Sequence, residues 1–170
     1  MLFRSVSQSR YGALYDIQSY INLPLLKTLC SDPTPRFLHV DYGFNGDCLG
    51  LGCCMCQERE MLDPFTGENI LRRTYVNDFT IGLEALTSDG IPTSLVVELI
   101  KWLRAQGLNI SLVTTDKPGM NTIVPELKLA GFKTEYLSVD TSRAPYILFK
   151  QKVNQGEFIG VNNKLFIPNS

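Results

Sequence analysis

Two buried apolar strands can be read in this chain, and each runs out on an aspartate. The first is Arg36-Phe37-Leu38-His39-Val40-Asp41, followed by Tyr42-Gly43. The second is Asn109-Ile110-Ser111-Leu112-Val113-Thr114-Thr115-Asp116, followed by Lys117-Pro118-Gly119. Short apolar runs bounded by turn residues are strand signals. In an α/β sheet the carboxyl ends of neighbouring strands open onto one crevice, where ligands bind. If these two strands are neighbours, two carboxylates converge there and repel each other unless a hard cation lies between them. Oxygen ligation of that kind suits Mg²⁺ or Mn²⁺, and it points to metal-assisted phosphodiester chemistry.

The rest of the chain supplies a sheet for these strands to join. Residues 1–35 read as a leader of short helices, broken by Pro24 and stopped by Ser31-Asp32-Pro33-Thr34-Pro35. The first strand spans 36–42. An Asn45-Gly46 turn leads to a second strand over 48–57, which makes an antiparallel hairpin. Residues 58–73 are polar and turn-rich around Asp63-Pro64-Phe65-Thr66-Gly67 and read as a loop or hairpin tip. A third strand follows over 74–86.

A helix then begins near Thr93 or Ser94, either a plausible N-cap. Leu95, Val96, Leu99, Ile100 and Leu103 form its apolar stripe, with Trp102 packing beside it, and Gly107 ends it. A fourth strand spans 109–115, a helix 121–130, a fifth strand 132–139 and a helix 145–155. The tail, 157–170, reads as a short strand or irregular edge.

Length and composition set outer bounds. The chain has 170 residues, enough for one domain with a real core. It is 44% apolar and 19% charged, which marks it as globular rather than disordered. A net charge of −1 means that nucleic-acid contact must come from a local patch rather than from overall basicity. No apolar run is long enough to span a bilayer, so no membrane partner is expected. The N-terminus lacks the apolar run of a signal peptide, which gives an intracellular expectation.

Cys30, Cys48, Cys53, Cys54 and Cys56 have no second Cys or His pair at zinc-finger spacing. They read as buried reduced thiols acting as small apolar residues.

The order β-β-β-α-β-α-β-α gives an α/β fold: an RNase H-like mixed five-stranded sheet flanked by helices. Three antiparallel strands come first, then alternating helices and strands. In that arrangement the first strand lies in the centre beside the fourth. Residues 36–170 would form this domain.

Three blocks then resemble one family, the nuclease domain of the large terminase subunit of tailed bacteriophages. The first block runs from Phe37 through Asp41, Gly46-Asp47 and Gly50 to Gly52. The second runs from Leu95 to Asp116. The third comprises Leu127-Lys128-Leu129-Ala130-Gly131-Phe132, then Leu137-Ser138-Val139-Asp140, then Ala144-Pro145-Tyr146-Ile147-Leu148-Phe149-Lys150 and Gly156. The likeness covers roughly residues 36–160. It implies a Mg²⁺- or Mn²⁺-dependent endonuclease that cuts concatemeric viral DNA during genome packaging in the host-cell cytoplasm. Double-stranded DNA would be its substrate. An ATPase motor chain, a portal or a small terminase would be its partners.

By residue, Asp41 matches the family's first metal-binding aspartate, Asp116 the second, and Asp47 an acidic position near the site. Three departures stand out. No Gly-x-x-x-x-Gly-Lys-Ser/Thr motif occurs, so the motor's ATPase is absent. Lys117-Pro118-Gly119-Met120 replaces the usual aromatic and glutamine. The third metal-binding aspartate has no counterpart before Ser170. A fragment, a split gene product, an inactive copy and an RNase H-like module that binds DNA without cutting are all compatible with that pattern, as is another nuclease of the fold such as a junction resolvase.

Each candidate also has a plainer reading. Asp41 and Asp116 could cap turns, and Asp116 could pair with Lys117. Asp47, after Asn-Gly, reads as a turn residue. Asp140 could replace the missing third metal ligand or cap Thr141-Ser142-Arg143. Lys117 and Arg143 are candidates for phosphate contact, against a solvated surface. Glu84 reads as solvated. His39, the single histidine, shares a strand face with Asp41 and could support the site, but its default reading is a hydrogen-bonded core residue.

Overall fold

The computed structural model describes residues 23–42, 48–84, 91–116, 121, 123–137 and 142–160. Its helices are α1 (Leu23–Ser31), α2 (Thr93–Ala105), α3 (Ile123–Leu129) and α4 (Ala144–Asn154). Its strands are β1 (Arg36–Tyr42), β2 (Cys48–Leu62), β3 (Asn69–Glu84), β4 (Ile110–Thr115), β5 (Thr134–Tyr136) and β6 (Phe158–Ile159).

They form one sheet in the order β5-β4-β1-β2-β3-β6. The pairs β1/β2 and β2/β3 are antiparallel, while β1/β4, β4/β5 and β3/β6 are parallel. The five expected strands are present in the expected order. The sixth is the two-residue β6 from the tail, whose Phe158 pairs with Tyr75.

Strand alternation decides which residues enter the core. Leu38 and Val40 of β1, Leu49, Leu51 and Cys53 of β2, Phe79, Ile81 and Leu83 of β3, and Val113 of β4 are buried together. Leu26 of α1, the stripe of α2 and Ile123 and Leu127 of α3 close over them. Each fully buried aliphatic side chain contributes about 1.5–3 kcal/mol, so α2, with six buried positions, is held mainly by its packing. Trp102 packs at the margin of this cluster, as expected.

Four sequence expectations need correction. The polar stretch 58–73 is mostly strand: the β2/β3 ladder continues to Leu62↔Asn69, leaving a loop of 63–68. Backbone pairing needs no apolar face, and opposite charges meet across it, with Arg73 Nε 3.9 Å from Glu58 Oε1. The tip closes as foreseen, with Asp63 Oδ1 accepting from the Phe65 amide at 2.8 Å and Gly67 at φ +71°. Second, Pro92, rather than Thr93 or Ser94, occupies the N-cap of α2, with no side-chain cap bond. Third, only Cys53 is buried; Cys48 and Cys54 are exposed and Cys30 and Cys56 intermediate, all as free thiols. Successive positions of β2, such as Cys53 and Cys54, face opposite sides of the sheet, so the cysteines cannot all enter one core. Fourth, the helix expected over 121–130 is shorter, and the strand expected over 132–139 keeps only three residues.

Gly107 ends α2 at φ +105°. A side chain there would be strained by about 1–2 kcal/mol. Gly107→Ala is therefore expected to lower unfolding free energy by that amount in urea titrations, with helix content retained. An unchanged midpoint would refute the assignment.

Arg36 begins β1 on the core side and is 1% exposed. Its Nε lies 3.1 Å from Asp78 Oδ2 and its Nη2 2.8 Å from Asp32 Oδ2. Nη1 donates to the carbonyls of Asp32 and Thr34 at 3.0 and 2.6 Å. Asp78 is the extra residue where the β2/β3 register shifts between Cys53 and Cys54. That bulge leaves its side chain 4% exposed against the guanidinium.

The two carboxylates respond in opposite directions. Hydrogen bonds from the Arg36 side chain and from Thr34 hold Asp32 far below the usual carboxylate range. Burial pushes Asp78 up, with Arg36 opposing the shift. A depressed carboxylate gives stability that is complete above its unfolded pKa and is lost as pH falls below it. Asp32→Asn is therefore expected to flatten the fall in stability below about pH 4. Urea midpoints measured from pH 6 to pH 2 would check this, and equal slopes in both proteins would refute it.

Candidate functional site

β1 and β4 run parallel, and their last paired residues are Val40 and Thr115. Asp41 and Asp116 are the next residues on these adjacent strands, which lie about 4.8 Å apart. Val40 and Thr115 point into the core, at 0% and 1% exposure. By alternation, Asp41 and Asp116 stand on the opposite face, together with His39 and Thr114. Asp41 is exposed and Asp116 half-buried. The Thr115 hydroxyl lies 3.2 Å from the Asp116 carbonyl and 3.5 Å from its Oδ1.

His39 links the two strands, with Nδ1 2.9 Å from Thr114 Oγ1. Burial pushes its pKa down, while the charges of Asp41 and Asp116 pull it up. The ring is thus within electrostatic reach of both carboxylates. The plainer reading of a core histidine is corrected: His39 is partly exposed and alternates away from Leu38 and Val40.

Beside Asp41 and His39, three of the four facing positions on β2 and β3 are glycines. Asp41 pairs with Gly50, and Gly50 pairs with Gly82. His39 pairs with Gly52, and Gly52 with Thr80. A Cβ at Gly52 or Gly82 would meet nothing within 4 Å, and one at Gly50 would meet only Asp41, its Cβ at 3.6 Å and its carbonyl oxygen at 3.9 Å. A bulky ligand can therefore come down onto the backbone beside Asp41. The alternating glycines of Gly50-Leu51-Gly52 were visible in the sequence, but the face they lie on was not.

The other candidates are not joined to this pair. Asp47, Asp140 and Lys117 lie outside the described residues. Arg143 is exposed at the N-cap of α4, and no described contact connects it with Asp41 or Asp116. Glu84 closes β3 opposite Cys48. Arg104 of α2 is 3.7 Å from the Phe132 ring centroid and donates to the Ala130 carbonyl, so it braces α2 against the α3–β5 turn. Lys152 is paired with Glu157 at 2.6 Å.

The donor chemistry fits a hard divalent cation, since both strands offer carboxylate oxygens. Among the described residues, however, no group of three or more His, Cys, Asp or Glu has metal-holding geometry. Two carboxylates form part of such a site and would need further oxygen donors.

Sheet order and strand directions together define an α/β domain with the RNase H-like arrangement. No family model matches the chain, and no curated protein matches it. Among solved structures it is similar to the large terminase nuclease from thermophilic phage G20c, with 19% identity and a TM-score of 0.51. That match covers 78% of this chain and 61% of the phage protein, so the chain spans less than two thirds of that structure's length. The yeast mitochondrial Holliday junction resolvase Ydc2 also matches, with 10% identity and a TM-score of 0.40, over 88% of this chain and 77% of the resolvase. At 19% identity the likeness to the phage structure shows the fold alone. No helix among the described residues is long and apolar enough to cross a membrane.

Proposed function

We propose that the chain is a divalent-metal-dependent DNA endonuclease with Asp41 and Asp116 at its centre. The observation that carries this reading is the β1/β4 register, which ends in Val40↔Thr115 and sets the two acidic residues side by side. Asp41 and Asp116 would hold Mg²⁺ or Mn²⁺. The ion, when bound, supplies the Lewis acidity that activates water and offsets phosphate charge. The protein's own contribution is to fix two oxygen donors on rigid strands. The glycine positions on β2 and β3 let a phosphodiester backbone approach them. Asp47 and Asp140 are candidates for further donors, and Lys117 and Arg143 for phosphate contact.

The three blocks that resemble the terminase nuclease family support a setting in viral genome packaging, with double-stranded DNA as substrate in the host cytoplasm. An ATPase motor, a portal or a small terminase would be partners there. Nicking of supercoiled plasmid in Mn²⁺ tests the reading. Cleavage should be lost with EDTA and in Asp41→Asn, and equal cutting by that variant would refute it.

A second reading is favoured by one observation, the lack of a third ligand beside Asp41 and Asp116 among the described residues. On this reading the chain binds DNA without cutting it. Two carboxylates alone bind Mn²⁺ weakly. Calorimetry showing no Mn²⁺ heat, together with DNA retention at low salt, would select it. A saturable Mn²⁺ isotherm would reject it.

A further inference from the structure

Among the described residues the His39 ring makes one hydrogen bond, between Nδ1 and Thr114 Oγ1 at 2.9 Å. The same Oγ1 lies 3.2 Å from the Leu38 carbonyl, which can only accept. A threonine hydroxyl carries one proton. Both contacts are made together only when that proton goes to Leu38 and Nδ1–H donates to Oγ1. Of the two neutral tautomers the threonine thereby selects Nδ1–H, in which Nε2 keeps its lone pair. Among the described residues Nε2 has no hydrogen-bond partner. The ring stands on the face of the sheet that carries Asp41 and Asp116, both of which act on it electrostatically.

His39 has one nitrogen tied to the scaffold, and its ring shares a sheet face with two carboxylates that act on it. We propose that His39, locked as the Nδ1–H tautomer by Thr114, is a working member of the site and offers Nε2 as a neutral acceptor to water at Asp41 and Asp116. Thr114 is the positioning residue. A water has two protons to donate, and a single carboxylate oxygen takes only one of them. The imidazole lone pair takes the other and fixes the direction of the water's own lone pair. No proton changes owner in this role. The inference rests on the nuclease reading for its functional half, whereas the tautomer stands on geometry alone.

The chain has a single histidine, which makes the test direct. Long-range ¹H–¹⁵N correlation of the ¹⁵N-labelled full chain reports which ring nitrogen carries the proton. The wild type is expected to show Nδ1–H. Thr114→Val should revert to the Nε2–H form that unconstrained imidazole favours, whereas Thr114→Ser should keep Nδ1–H. MgCl₂ should shift the ring signals of the wild type but not those of Asp41→Asn. In plasmid nicking with Mn²⁺, His39→Asn retains a donor for Thr114 but has no counterpart of Nε2. It should be roughly tenfold to a hundredfold slower.

An Nε2–H wild type overturns the inference whatever the activity. So do ring signals that ignore MgCl₂ in a protein that binds it. Wild-type nicking by His39→Asn alongside a dead Asp41→Asn overturns this inference and leaves the nuclease reading standing. Wild-type nicking by Asp41→Asn overturns both.

Discussion

Asp41→Asn is expected to lower Mn²⁺-dependent nicking of supercoiled plasmid by about a thousandfold, or roughly 4 kcal/mol of transition-state stabilisation. The substitution preserves size and removes one negative charge. It falls on an exposed strand-end residue opposite Gly50, where a neutral amide disturbs little packing. The fold should survive with an unchanged urea midpoint, which separates loss of chemistry from loss of structure. Asp116→Asn should act in the same direction. The double variant should be scarcely worse than either single one, because two groups serving one ion act as a unit and their effects do not add. Strictly additive losses would mean that the two carboxylates work apart, and the shared site would be wrong.

Arg36→Met is expected to destabilise the protein by about 3–5 kcal/mol, since it leaves the Asp78 carboxylate buried without its cation. For a chain of this size that corresponds to a fall in Tm of about 6–20 °C. Asp32 can turn to water, being 39% exposed, but Asp78 at 4% cannot. The cost therefore arises mainly from Asp78. Burial already works against its charge, and the guanidinium is what opposes that.

The double variant Arg36→Met/Asp78→Leu should recover much of the loss, because replacing a buried ion pair by apolar groups of similar volume is often neutral. Thermal and urea unfolding of the three proteins would decide the matter. A single-variant loss below about 1 kcal/mol would show that water reaches the pair, and the buried-pair account would fail. Arg36 opens β1 whereas Asp41 lies near its far end, so the folded double variant should keep whatever metal response the wild type has.

How much of this was legible beforehand differs from residue to residue. The α2 stripe and the glycine that stops it were written in local spacing, because helical period and positive φ are properties of short segments. Asp41 and Asp116 were legible as strand-end residues for the same reason. Arg36 was not: it reads as an ordinary flanking cation until alternation with Leu38 and Val40 places it on the core side. Its partner Asp78 is inward only because a register shift in β3 makes room. His39 was assigned by default to the core, since a lone histidine in an apolar strand carries no sign of which face is covered. The polar half of the β2/β3 hairpin reads as a loop because exposed ladder pairing leaves almost no hydrophobic signature.

By itself, then, the sequence determined the sequence of strands and helices, the turn glycines, and the presence of an acid at the mouth of two apolar strands. Tertiary structure alone decided that β1 lies against β4, that His39 and Thr114 meet behind those acids, and that three glycines lie bare beside them. The reason is physical. Periodicity and backbone preference act over a few residues, whereas strand adjacency and the choice of covered face are set by how the whole sheet buries its apolar side against α1, α2 and α3.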